Sequence, residues 1–352
     1  TPLYSSAASD VYKRQAQQAF AVDRTIINLN NGGVSPAVTA SQESVQRYLE
    51  FSNQVPAYNM WRILEPRKET VREGLARLFG CDPEEIALTR NASESLEICQ
   101  LGFDLERGDE VLTTNQDYPR MINTWKQLER RHGVVMKQFS LPVPAEDEDE
   151  IVRLFEDQIS SSTRLILMCH MINLTGQILP VRKVVRMARR RGIPVIVDGA
   201  HSLAHFPFTR DELDCDFFGA SLHKWLCAPH GTGMLYVRRE RIGEVWPLMA
   251  ASEKQDQDIR KFEEIGTHPA ALMLATADAL LFHDVLGHER KAARLRYLRD
   301  YWVQQLSRGD RMRLWTSLDS RFSCGIATVG FDGIDSGDLA SRLWSAHRIL
   351  VT

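Results

Sequence analysis

No stretch of this 352-residue chain approaches the roughly 18 consecutive apolar residues of a membrane-crossing helix. Its first 15 residues are polar and lack the apolar core of a secretory signal; they read as a disordered or non-native tail, set apart from the fold. These absences point to a cytoplasmic protein with no membrane partner. Cysteine is sparse and scattered: Cys81, Cys99, Cys169, Cys215, Cys227 and Cys324 form no C-x-x-C pair. That excludes a disulfide framework and a cysteine-based zinc site, and suits reduced, buried thiols. A formal net charge of −3 gives no bulk electrostatic case for nucleic acid or an acidic lipid surface. Internal repeats are missing too, and the only biased segment, 146–150, reads as an acidic loop. The basic stretches 182–191 and 290–299 interleave apolar residues at helical spacing and read as solvated helix faces.

What is present is an alternation of short β-branched runs with helical patterns. Runs at 85–89, 109–114, 164–170, 194–197, 214–221 and 234–237 read as buried strands; 66–78, 121–131, 181–191 and 269–286 read as helices. This order predicts an α/β fold, a mainly parallel sheet between helix layers. Near the end, 324–329 reads as a strand, 336–346 as a helix, and 349–352 as the start of another strand.

Two residues stand out against this frame. Asp198 ends the run Pro194-Val195-Ile196-Val197, and in open α/β sheets ligands gather beyond the carboxyl ends of strands. An Asp here also suits an ordinary helix cap. Lys224 follows the next strand among His223, Trp225, Leu226 and Cys227, surroundings that desolvate an amine and suit Schiff-base chemistry. Alone it could equally be a surface lysine lying over Trp225. The pair, with the glycine turn Gly231-Thr232-Gly233 close behind, favours a cofactor bearing a basic ring nitrogen and an aldehyde, pyridoxal 5'-phosphate (PLP). Upstream, Asn91-Ala92-Ser93 opens a helix whose N-terminus suits an anion such as the cofactor phosphate, held by the Ala92 amide and the Ser93 hydroxyl; a plain serine cap is locally as good.

The segment His223-Lys224-Trp225-Leu226-Cys227-Ala228-Pro229-His230-Gly231-Thr232-Gly233 resembles the lysine motif of class V aminotransferases, most of all their isopenicillin N epimerase-like branch, which is related to the cysteine desulfurases. The resemblance spans about residues 25–350 and implies the fold-type I architecture of PLP enzymes, with a seven-stranded-type sheet. A large domain would cover 16–285, and 286–352 would form a small α/β domain that looks incomplete, as in a C-terminally truncated fragment, because the family's substrate-carboxylate arginine would follow about here. It further implies Lys224 as the catalytic Schiff-base residue and Asp198 on the ring nitrogen. Tyr118 would stack on the ring, Asn173 and His201 would lie near the ring hydroxyl, and Ser221 and His223 would help hold the phosphate. Gly266 and Thr267 would reach the cofactor of a neighbouring subunit, which implies a homodimer, and Asn31 and Gly32 would line the substrate side.

The activity implied is PLP-dependent chemistry at the Cα of an amino acid: transamination, with epimerisation or cysteine desulfuration and related lyase reactions as alternatives. Cys324 does not look placed as a desulfurase nucleophile. A different class of reading is a metal-dependent hydrolase using His201 and His205, spaced i, i+4; it lacks the His-Glu pairing of zinc proteases, and no metal ligand is assigned. The remaining alternative is an inactive fragment.

Overall fold

A computed structural model describes residues 13–309 and 311–352. The polar tail therefore lies outside the described residues as far as residue 12, but Lys13, Arg14 and Gln15 are helical, so the boundary set at residue 15 falls inside a helical stretch.

Seven strands form the central sheet: β1 (Ile86–Thr89), β2 (Glu110–Thr114), β3 (Val135–Phe139), β4 (Thr163–Cys169), β5 (Val195–Asp198), β6 (Phe217–Ser221) and β7 (Gly233–Val237). Their order is β1-β7-β6-β5-β4-β2-β3, and only β7 runs against its neighbours. Burial on both faces explains the near-continuous apolar strands. In β4, Ile166 and Met168 join one core cluster while Leu165 and Leu167 join the other, the two-residue alternation expected of a strand.

Six helices flank this sheet: α1 (Thr39–Gln54), α2 (Lys68–Phe79), α3 (Ala92–Gly102), α4 (Pro119–His132), α5 (Glu148–Gln158) and α6 (Val181–Arg189). Leu75, Phe79, Ile151, Phe155, Val184 and Val185 fill one layer, and Leu96, Ile98, Met121, Trp125 and Leu128 the other. Beyond the sheet come α7 (Thr276–Leu286), α8 (His288–Leu306) and α9 (Ser336–His347). An antiparallel pair joins Met312–Leu314 to Val329–Phe331, and Ile349–Leu350 pairs in parallel with Ile27–Asn28. No described helix is long and apolar enough to cross a membrane.

Four local expectations are corrected. The acidic segment 146–150 is mostly the first turn of α5, where Asp147 accepts from the Asp149 and Glu150 amides and the carboxylates meet the positive end of the helix. The strand expected at 324–329 forms only from Val329, because Cys324 is buried in a separate small cluster with Met171, Phe206 and Ala292. The strand expected from Asp214 begins at Phe217, since a short helix, Arg210–Leu213, ends in a left-handed Asp214. The basic face 290–299 is only partly solvated: Arg299 is buried, donating to Ser323 Oγ and the Leu318 carbonyl.

Candidate active site

The parallel strands deliver their carboxyl ends to one rim, where the site is assembled. Asp198, the last residue of β5, is buried, and its Oδ1 accepts from the Ala200 amide at 2.9 Å. Burial pushes its carboxyl up to about 6, against the pull of the Ala200 amide and the nearby Lys224 charge. Gly199 follows because a Cβ there would fall 1.9 Å from the Phe218 ring. The backbone then turns to bring His201 Nε2 within 3.0 Å of Lys224 Nζ.

Desolvation lowers the Lys224 pKa, opposed by Asp198, and holds His201 well below its ordinary value, hence neutral. With Lys224 donating to Nε2, the imidazole proton sits on His201 Nδ1, a buried atom with no protein partner. Asn173 Oδ1 is likewise buried without a partner. Each is a buried polar atom of the kind a ligand hydroxyl can satisfy, the one a donor and the other an acceptor.

Beyond β6 lies the N-terminus of α3, the candidate anion end. Asn91 caps α3 by accepting from the Glu94 amide at 2.9 Å, and the buried Ala92 amide donates to Ser221 Oγ at 2.9 Å. Ser93 is half-buried in the same first turn, so helix terminus and hydroxyls share one place. Gly233 makes this possible: a Cβ there would lie 2.6 Å from the Asn91 backbone. His223 Nδ1 bonds the Thr232 carbonyl at 3.0 Å, fixing its ring beside the turn, and burial lowers its pKa.

Tyr118 sits at the cap of α4, its ring exposed and open to stack on a ligand. Its position is fixed by a residue that sequence reasoning missed. Asp117 is buried and collects four hydrogen bonds, from Thr113 Oγ1, Thr114 Oγ1, the Thr114 amide and the Cys169 amide, tying the end of β2 to the end of β4. Burial nevertheless raises its pKa. The two threonines just ahead of the carboxylate were the available signal.

Asn31 and Gly32 lie in a loop sewn to the lysine turn. Ser35 donates its amide to the His223 carbonyl at 3.0 Å, His230 Nε2 bonds the Ser35 carbonyl at 3.0 Å, and a Cβ on Gly32 would come 3.2 Å from the Trp225 ring. Asn31 itself is exposed and exchanges side-chain hydrogen bonds with Asn28.

The hydrolase reading fails on His205. Its Nε2 accepts from the Gly325 amide at 2.9 Å, so Nδ1 carries the proton and donates to the His201 carbonyl at 2.7 Å; no ring nitrogen is left for a metal. The ring stacks on Trp225, centroids 3.5 Å apart, and among the described residues no group of three histidine, cysteine or acidic side chains is arranged for a metal. Gly266 and Thr267 do not join Lys224. They line a separate cleft of about 570 Å³ with Trp61, Lys68, Arg72 and Arg260.

A buried carboxylate near a desolvated lysine, beside a helix N-terminus on a sheet of this order, accords with the class that the family defines: a PLP-dependent enzyme of fold-type I. The family model for aminotransferase class-V matches residues 28–352, and the chain belongs to that family. It is 29% identical to the isopenicillin N epimerase of Streptomyces clavuligerus over 95% of this chain and 88% of that protein. Identity to the cysteine desulfurase of Haloferax volcanii is 27%, over 78% of this chain and 67% of the relative. Among solved structures, C-DES with glycine covalently linked to its PLP cofactor superposes with a TM-score of 0.82 at 21% identity, covering 97% of this chain and 90% of that one, a likeness of fold.

Proposed function

We propose that this enzyme acts at the Cα of a small-molecule amino acid, with Lys224 both carrying PLP as a Schiff base and moving the Cα proton. The 3.0 Å bond between Lys224 Nζ and His201 Nε2, beside buried Asp198, carries this reading. When bound, the cofactor supplies a protonated ring that takes up the electrons released at Cα. Asp198 favours that ring proton: its own carboxyl is pushed up chiefly by burial and in smaller part by Asp117, and a cation beside it would bring it back towards the ionised form.

Ala92, Ser93, Ser221 and His223 receive the phosphate, Tyr118 stacks on the ring, and Asn173 and His201 meet the hydroxyl edge, with Asn31 and Gly32 on the substrate side. Burial lowers the Lys224 pKa and so shifts its amine towards the neutral form that a general base uses. Neutral His201 accepts from that amine without adding a second charge. Gly266 and Thr267, set apart from their own Lys224, serve the cofactor of a second copy, so the working form is a homodimer. Cys324 supplies no nucleophile: it is buried, and burial raises its thiol pKa.

Borohydride reduction followed by peptide mapping tests the assignment. The cofactor mass should be fixed to the Lys224 peptide, and amino acids incubated in deuterated water should exchange their Cα hydrogen only with Lys224 intact. Fixation elsewhere, or exchange that survives Lys224→Ala, overturns it.

A further inference from the structure

Lys291 lies in the first turn of α8, where an ammonium meets the unfavourable positive end of the helix. It is also partly buried, and desolvation lowers its pKa. Neither circumstance favours a lysine there. Its Nζ donates to the Trp225 carbonyl, on the residue directly after Lys224.

The turn it grips is unusual. Cys227 is left-handed, with φ of 59°, and its amide donates to the Lys224 carbonyl at 3.1 Å. Trp225 is held on its other side by the stacked His205 ring. The charged or titratable groups facing Lys291 are Cys227 of the turn, Cys324 of the C-terminal segment, His205 of the loop after β5 and His283 of α7. Both imidazoles are kept neutral by burial, and no carboxylate is among these groups. The Trp225 carbonyl is thus what offsets the cost of burying this ammonium.

We propose that Lys291 is a positioning residue for Lys224: through the Trp225 carbonyl it fixes the turn 224–227 against α8 and keeps the Lys224 amine in its desolvated place beside His201. The purpose of that placement rests on the Schiff-base role proposed above; the placement itself can be read without cofactor. Releasing the turn would let water reach the Lys224 amine, and hydration favours the ammonium form.

The test is trace labelling with acetic anhydride across pH on the full-length chain freed of cofactor, read by mass spectrometry at the Lys224 peptide. In Lys291→Met the labelling midpoint of Lys224 should rise by about half a pH unit or more, and Lys291→Arg, which keeps a charged donor, should return it towards the parent value. A Met variant that labels with the parent midpoint overturns the proposal, whatever happens to its melting temperature. If the Met variant does not fold, Lys291→Gln, with a shorter donor, takes its place under the same criterion. Borohydride fixation on the parent protein is scored separately: its failure removes the cofactor role of Lys224, whereas an unmoved midpoint beside successful fixation removes only the role of Lys291.

Discussion

Asp198, proposed above to face the cofactor ring, shows how such a placement costs the fold that holds it. Burial raises its carboxyl from 3.8 to about 6, so between those values the folded chain holds a proton that the unfolded chain has lost. Stability therefore falls as pH rises through that window, and above it the folded chain carries the full cost of a buried charge. Asp198→Asn should stabilise the cofactor-free protein by about 3 kcal/mol at pH 7.5 and by almost nothing at pH 3.5, while weakening PLP retention at least tenfold. Urea unfolding at the two pH values, with a cofactor titration alongside, measures all three; an Asn variant that is less stable at pH 7.5 refutes the linkage. Asp198 and Lys224 were legible in sequence because each ends a recognisable strand or motif. Asp117 was not, because its work is done by four hydrogen bonds from residues on two different strands, one of them some fifty positions away.

Between elements, the decisive contact is the close approach of β7 to the cap of α3. Gly233 has no Cβ where one would lie 2.6 Å from the Asn91 backbone, and backbone cannot swing aside as a flexible side chain could. Gly233→Ala should cost about 1–3 kcal/mol in urea unfolding and, by lifting the Ala92 amide from Ser221, should lower phosphate and PLP affinity together. An alanine variant with unchanged binding of both would show that this approach does not shape the anion end. The glycine turn was visible in the sequence as a tight approach, though not the surface it approaches. Six of the seven sheet strands were legible because burial on both faces writes continuous β-branched runs; β3 was missed because it is a half-exposed edge strand whose Lys137 and Gln138 break the apolar run. Helix α1 was missed for the opposite reason: it buries Ser41, Ser44 and Ser52, with Ser41 Oγ donating to the Ala275 carbonyl at 2.8 Å, so it carries no apolar stripe. Helix α5 was hidden by its acidic first turn, which reads as loop in composition and as a well-placed helix start in three dimensions.

Across the whole molecule, the buried imidazoles set the response to acid. Burial lowers His170 and His205 to about 3 and His283 to about 2, and lowers His201 and His223 as well. A depressed pKa means that the unfolded chain binds protons the folded one refuses, so this stability is complete above about 6.5 and drains away as pH falls. Asp198 acts in the opposite sense below about 6, and buried Asp117 is raised in the same direction, but these are two groups against five. The three imidazoles lowered to about 3 or below outweigh Asp198 by about two protons taken up on unfolding near pH 5, a slope of about 3 kcal/mol per pH unit. A domain stable by about 5–15 kcal/mol loses much of its margin on such a slope, so the cofactor-free chain should unfold cooperatively below about pH 5. Urea midpoints at half-unit steps from pH 7 down to 5 measure the slope; a flat profile would mean that the imidazoles are not neutral in the fold. The same neutrality keeps His201 from adding positive charge beside Lys224, so the feature that makes the chain labile to acid is also one that the base proposed at Lys224 requires.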